Sequence, residues 1–318
     1  MKPLKGIHHV TAITGDAQRN VDFYCGVLGL RLVKKTVNFD DPGSYHLYFG
    51  DRFGSPGTLL TFFVWPGATT SRAGAGEPVA VAYEIPEGSL EFWRRRMSDT
   101  GTESKETTRF GAGVISASDP DGMQVELVET SDRHAAEYWP GGGVAKEHAI
   151  AAIHSVTLSV RDEERSASLY TGELTFRNAG LDKGRNRFAV GPEEPRNFVD
   201  LVSPSAASRG RMGAGTIHHV AFRTDDDTSQ NEWLQRLTNI GMHVSPVMDR
   251  KYFHSIYFRE RNGVLFEIAT EGPGMTVDEA QEHLGESLTL PAEYERFRSN
   301  LERTLPSIAS PQSLSAAR

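Results

Sequence analysis

Ile217-His218-His219-Val220 repeats, residue for residue, a stretch near the start of the chain, Ile7-His8-His9-Val10. Each copy opens a segment of similar layout. Thr14 and Asp16 follow the first, then an apolar-periodic run to Leu28-Gly29; Thr224 and Asp225 follow the second, then a run to Ile240-Gly241. A single His on a strand is usually a hydrogen-bonded structural residue. Two His pairs at matching points of an internal repeat are stronger evidence, because a repeat places equivalent positions about a symmetry axis.

Working outward, four segments share one plan: about 6–66, 79–129, 151–204 and 216–270. In the first, 7–14 reads as a strand and 16–27 as a helix stopped by Gly29. Strands follow at 31–38, 45–50 and 57–64, separated by the turn signals Asp40-Asp41-Pro42-Gly43 and Gly54-Ser55-Pro56-Gly57. In the second, 79–85 alternates like a half-buried strand, and Ser89 suits a helix N-cap ahead of Leu90, Trp93 and Met97. Asp119-Pro120-Asp121-Gly122 then turns into the strand 123–128. The third segment opens on Ile153-His154-Ser155-Val156 and closes on Phe198-Val199-Asp200-Leu201-Val202. The fourth carries Trp233, Leu234, Leu237 and Ile240 on its helix. The pattern predicts four βαβββ modules in two halves, 1–133 and 151–270, joined by a linker at 134–150. A helical tail at 271–318 follows, with Pro291 at a helix start, a stripe of Tyr294, Phe297 and Leu301, and a polar end from Ser307 that frays.

The 318 residues are 38% hydrophobic and 24% charged, with a net charge of −8. That composition suits one or two well-buried cores and excludes a basic nucleic-acid footprint. Arg94-Arg95-Arg96, the longest basic run, reads as a solvated helix face. The single cysteine, Cys25, falls in the apolar pattern Val21, Tyr24, Cys25, Leu28 and reads as core packing in a reducing compartment. No apolar stretch approaches the roughly 18 residues of a membrane span, and the N-terminus lacks a secretory segment, so a cytoplasmic location is expected.

Aligning the modules separates the histidines. His8, His154 and His218 share one column; His9, Ser155 and His219 share the next. Strand neighbours point to opposite faces, so both columns reach one pocket only through a bulge. Aligning the last strands on Gly-x-x-x-Glu puts Glu267 (Gly263-Val264-Leu265-Phe266-Glu267), Glu126, Thr61 and Asp200 in one column. A carboxylate among Phe266, Ile268 and Ala269 is costly to bury unless paired or metal-bound. Modules one and four together supply His9, His219 and Glu267, with Thr61 at the fourth corner. Two imidazoles and one carboxylate with open positions suit non-heme Fe(II) chemistry with dioxygen. Modules two and three supply Glu126, Ser155 and Asp200, a lapsed site whose carboxylates are free to pair with cations. His46, His134, His148, His243 and His283 lack such context and read as surface or structural residues.

The pattern resembles the vicinal oxygen chelate superfamily, and more narrowly its ring-cleaving dioxygenases that open para-hydroquinones. The carriers are Gly6-Ile7-His8-His9-Val10-Thr11, Thr14-Gly15-Asp16-Ala17-Gln18, Tyr45-His46-Leu47-Tyr48-Phe49-Gly50, Gly54-Ser55-Pro56-Gly57-Thr58, Ile217-His218-His219-Val220-Ala221-Phe222 and the Glu267 strand. The resemblance implies an α+β fold of two open-barrel domains and the metal ligands His9, His219 and Glu267. It implies Fe(II), with Mn(II) as the alternative, and supporting catalytic roles for His8, Thr11, His218, Arg250 and Tyr257. Expected partners are a small aromatic substrate and O2, with no nucleic acid or membrane and with homo-oligomers allowed. On that reading Arg250 stabilises a substrate oxyanion, His8 or His218 shuttles protons, and Tyr257 hydrogen-bonds oxygen or substrate. Two other classes remain open. A glyoxalase-type isomerase or lyase wants four protein ligands, which Thr61 does not favour; a metal-free binding protein needs no such cluster.

Overall fold

The computed structural model describes residues 2–71, 74–192, 197–203 and 210–309. Module one comprises β1 (Ile7–Thr14), α1 (Ala17–Val21), β2 (Arg31–Asn38), β3 (Asp41–Gly50) and β4 (Leu59–Val64). Module two comprises β5 (Glu77–Pro86), α2 (Leu90–Asp99), β6 (Ser104–Arg109), β7 (Ala112–Ser118) and β8 (Gln124–Thr130). Module three comprises β9 (Ile153–Ser159), α3 (Glu163–Gly172), β10 (Arg177–Asp182), β11 (Arg185–Val190) and β12 (Asn197–Val202). Module four comprises β13 (Ile217–Thr224), α4 (Asp227–Asn239), β14 (Met248–Asp249), β15 (Phe253–Arg259) and β16 (Leu265–Pro273). The tail adds β17 (Leu288–Thr289) and α5 (Arg298–Thr304). The polar end past residue 309 lies outside the described residues. Among those described, no helix is long and apolar enough to cross a membrane.

Local chemistry accounts for the helix starts. Asp16, Asp162 and Asp226 each accept the amide three residues on, the N-cap bond that satisfies an orphan donor. Module two departs from this. The Ser89 hydroxyl makes no cap bond but faces His148, and Glu129 accepts the Leu90 amide in its place. After α1 the helix widens into a π-helical turn over Asp22–Val27, and Gly29 reverses the chain at φ 74°, a conformation that glycine adopts without Cβ strain. Cys25 is buried beneath this turn, which pushes its thiol up to about 12.

The strands form two sheets, each curled into an open half-barrel. The first has nine strands in the order β14-β15-β16-β13-β1-β4-β3-β2-β17, the second eight in the order β10-β11-β12-β9-β5-β8-β7-β6. Thus module one shares a sheet with module four, through antiparallel β1 and β13. Module two shares a sheet with module three, through β5 and β9. Being central, β5 is buried on both faces over most of its length and not half-buried as its alternation suggests. Within each module the helix crossover makes the first and last strands parallel neighbours, as in β1 with β4 and β13 with β16.

The helices bury Tyr24, Trp93, Tyr170 and Trp233 in one continuous core, where each fully buried large apolar side chain contributes about 1.5–3 kcal/mol. Tyr170 and Phe176 of module three meet Phe266 and Phe222 of module four, so this core also joins the two sheets. Arg94 and Arg95 are exposed and pair with Glu91. Arg96 is not part of that solvated face: it donates to the carbonyls of Gly26, Val27, Gly142 and Gly143, tying the module-one helix end to the linker. In the tail Leu301 is buried but Phe297 is exposed, because a 3-10 turn over Ala292–Phe297 breaks the α-helical stripe.

Candidate metal centre

The central pair β1 and β13 carries a bulge at each histidine pair. Ile7 and His9 oppose consecutive residues Phe222 and Ala221, which makes His8 the extra residue on β1. Thr11 and Ala12 oppose His219 and Ile217, which makes His218 the extra residue on β13. A bulge re-aims side chains and lets neighbours share a face. Each extra histidine therefore turns onto its successor: Nδ1 of His8 lies 2.9 Å from Nδ1 of His9, and Nδ1 of His218 lies 2.7 Å from Nδ1 of His219. Module three keeps the bulge at His154 but has Ser155 in the next position, 3.0 Å away.

The register is two-fold symmetric about this pair. Ala221 lies between His9 and Glu267; Thr11 lies between His219 and Thr61. His9, His219 and Glu267 converge, with donor atoms all within 4.8 Å of one another, and form the one such His/Cys/Asp/Glu cluster among the described residues. Nε2 of His9 is 3.3 Å from Nε2 of His219, and Oε2 of Glu267 stands 3.5 Å and 2.9 Å from the two. Neighbouring ligands of an ion with bonds of about 2.1 Å are separated by roughly 3.0–3.4 Å, which matches this triangle.

The donor set fits a divalent cation on three further grounds. Glu267 is fully buried, and its Oε2 accepts no hydrogen bond, although Ser255 donates to Oε1. Burial pushes its carboxyl up, yet the imidazoles, His9 foremost, outweigh this and hold it well below the usual range. Burial lowers His219 despite Glu267, so the carboxylate is charged and this imidazole neutral, as ligands must be. His8 and His218 are also neutral. Burial and then His9 push His8 well down; burial, then His219 and Arg259, bring His218 to about 3. The Nδ1–Nδ1 contacts suit a tautomer in which His8 and His218 accept and their successors direct Nε2 lone pairs inward.

A cavity of about 300 Å³ opens on this triangle. Its walls include Phe39, Phe63, Trp65 and Phe253, and Thr11, His218, Arg250 and Tyr257 reach it. His8 does not; it lies behind His9 against Phe253, with no partner for Nε2. Arg250 donates to the Tyr257 hydroxyl at 3.2 Å and pairs with Asp40 at 3.2 Å across the mouth. His46 and Tyr48 also line the cavity. They extend a chain: Tyr48 hydroxyl to His46 Nδ1 at 3.0 Å, His46 Nε2 to Thr61 at 2.9 Å, Thr61 to Thr11 at 2.8 Å. His46 thus holds Thr61 much as Ser255 holds Glu267. Its place was legible only as one face with Tyr48 on β3, two residues apart.

In the second sheet the equivalent column is ion-paired. Arg187 forks onto Asp200 with two bonds of 2.8 Å, Arg185 adds a third contact, and Arg109 pairs with Glu126. Arg187 is sandwiched between the rings of Phe110 and Phe198. Guanidinium groups thus neutralise, in the second sheet, the carboxylates of the column that holds Glu267 in the first.

Residues 6–127 and 152–268 match the Glyoxalase/Bleomycin resistance protein/Dioxygenase superfamily. The "Putative ring-cleaving dioxygenase MhqO" of Bacillus subtilis (strain 168) is 43% identical over 305 residues, 96% of each chain. The "Chlorohydroquinone/hydroquinone 1,2-dioxygenase" of Sphingobium indicum is 35% identical over 311 residues, 95% of this chain and 96% of that one. Among solved structures, a "putative dioxygenase" from Bacillus subtilis superposes with a TM-score of 0.94 at 42% identity, covering 99% of this chain and 100% of that one. Glyoxalase I of Zea mays, at 17% identity and a TM-score of 0.61 over 84% of this chain and 92% of that one, shares the fold. The chain belongs to the glyoxalase/bleomycin resistance protein/dioxygenase superfamily and, within it, to the ring-cleaving dioxygenases.

Proposed function

We propose that the chain holds Fe(II) on His9, His219 and Glu267 and opens a hydroquinone-type ring with O2, Mn(II) being the alternative metal. The observation that supports this most directly is the buried triangle of three donors whose fourth corner, Thr61, is tied to Thr11 and His46. When bound, Fe(II) would supply open coordination positions and a path for electrons from the ring to dioxygen. The relative that acts on hydroquinone supports the substrate class.

The remaining roles belong to the chain's own side chains. Phe39, Phe63, Trp65 and Phe253 exclude water and grip a flat neutral ring. Arg250 offers charge to a substrate oxyanion. Its present partner Asp40 is 63% exposed, and such a pair contributes only about 0–1 kcal/mol, so substrate displaces it at little cost. Tyr257 presents a hydroxyl beside Glu267, and burial, with Glu267 adding, keeps it protonated. With Nδ1 of His218 accepting from His219, its own proton sits on Nε2, which is left to donate to a ligand in the cavity. His8 lies outside the cavity and acts on His9 alone.

Anaerobic loading with Fe(II), followed by oxygen uptake over a panel of hydroquinones and catechols, tests the reading. Uptake equimolar with a hydroquinone is expected, and His9→Ala and Glu267→Ala are expected to lose iron and uptake together. Full iron retention in both variants, or an iron-loaded wild type inert toward every hydroquinone, rules it out.

A further inference from the structure

A second groove, of about 560 Å³, shares Tyr257 and Leu265 with the metal cavity as a common wall. Its floor is partly apolar, with Met242 and Phe258, and it is rimmed by Arg259, Arg261 and His243. Arg259 donates to the Gly263 carbonyl and Arg261 to the Ser168 hydroxyl; among the described residues neither guanidinium pairs with a carboxylate. Glu260, between them, is buried and turned inward onto Ser166, so it does not neutralise the groove. Arg259 also lies close enough to His218, on the cavity side, to lower its pKa. On a chain of net charge −8, two such guanidinium groups in one cleft form a local reversal of sign.

In the metal cavity the one guanidinium is Arg250, which on the reading given above serves the substrate oxyanion, so no second guanidinium is left there for a new carboxylate. Ring opening creates an anion, on the reading given under Proposed function, upon which this inference rests. Opening hydroquinone beside a hydroxyl-bearing carbon breaks one ring carbon–carbon bond and adds both atoms of O2. The product is a six-carbon chain with an aldehyde at one end and a carboxylic acid at the other, and the acid ionises by releasing one proton. A neutral aromatic ring thereby becomes a flexible carboxylate beside the buried carboxylate of Glu267.

We infer that the groove beyond Tyr257 and Leu265 is a carboxylate subsite that receives the ring-opened product, its charge held by Arg259 and Arg261 and its hydrocarbon chain by Met242 and Phe258. Substrate and product then leave different footprints: the ring occupies the aromatic cavity, and the acid end of the product lies in the groove.

Sorbate, a linear six-carbon dienoate, and 2,4-hexadien-1-ol, its uncharged counterpart, are suitable probes. Each is titrated calorimetrically into metal-loaded wild type and into the double variant Arg259→Gln, Arg261→Gln. Wild type is expected to bind sorbate more tightly than the alcohol, and the double variant to weaken sorbate by about fivefold with the alcohol unchanged. Unchanged alcohol binding also shows that the variant is folded. Equal binding of the two probes by wild type, or a sorbate preference that survives in the variant, overturns the subsite. Oxygen uptake with hydroquinone, run on the same wild-type sample, separates the two ideas. No uptake removes the ring-cleavage reading, while the titration still reports on the groove by itself.

Discussion

Thr61 mirrors Glu267 across the pair of bulged histidines, and its chemistry sets what the centre can do. A hydroxyl held by Thr11 and His46 is a poor ligand, so a bound ion keeps positions free for two reactants. Thr61→Glu places a second carboxylate at that corner. Mn(II) is expected to bind the variant more tightly, with fewer exchangeable waters by proton relaxation, while oxygen uptake falls by about a hundredfold or more. Arg250→Ala is expected to leave metal content unchanged and to lower kcat by about 10²–10³-fold, as loss of an oxyanion donor does. Metal analysis beside steady-state kinetics distinguishes this from damage to the ligand triangle. Repeat alignment named the three residues that lie together, because the ligand column recurs at fixed offsets in the modules. It passed over His46 because the residues in the matching place are Ser255, Arg185 and Val114; the first two share its task of holding a neighbour, and none its identity.

At the scale of elements, the segment after the repeat works as a strap. Lys34 on β2 is fully buried, and its ammonium is met by Asp278 at 2.7 Å and by Glu279. Asp278 also binds Lys251 at 2.7 Å and the Tyr252 hydroxyl at 3.1 Å. Lys251 has φ 68° and directly follows Arg250, so one carboxylate in the tail anchors the turn that aims this arginine. Asp278→Asn is expected to lower stability by about 1–3 kcal/mol, less than full loss of a buried partner because Glu279 remains. Chemical denaturation measures the drop, and a rise in KM without loss of metal would register the loosened turn. None of this was legible in the sequence: Pro291 and an apolar stripe announce a helix, but the strap acts through charges at 278 and 279 that carry no periodicity. Ser89 does stand at the N-cap of α2, but without a cap bond of its own, because Glu129 reaches the Leu90 amide from a strand distant in sequence.

For the whole molecule, two sheets of one design carry one candidate centre among the described residues. Arg187→Ala would strand Asp200, buried with only Arg185 nearby, and is expected to cost about 3–5 kcal/mol with metal content unaffected. Thermal melting with parallel metal analysis checks both halves of that statement. The repeat marks where modules begin and groups one with four and two with three, but the register that joins them depends on tertiary packing, which a single sequence does not display. The pairing has an outcome in synthesis. His9 and His219 meet across 210 residues of chain, and Glu267 follows later still. A nascent polypeptide emerging from the ribosome therefore has β4 for one edge of β1 early, but lacks β13 for the other edge until residues 217–224 have been made, and closing so long a loop is slow. On the reading proposed above, metal capture waits for Glu267 to be made, and fragments that end before it lack the complete donor set.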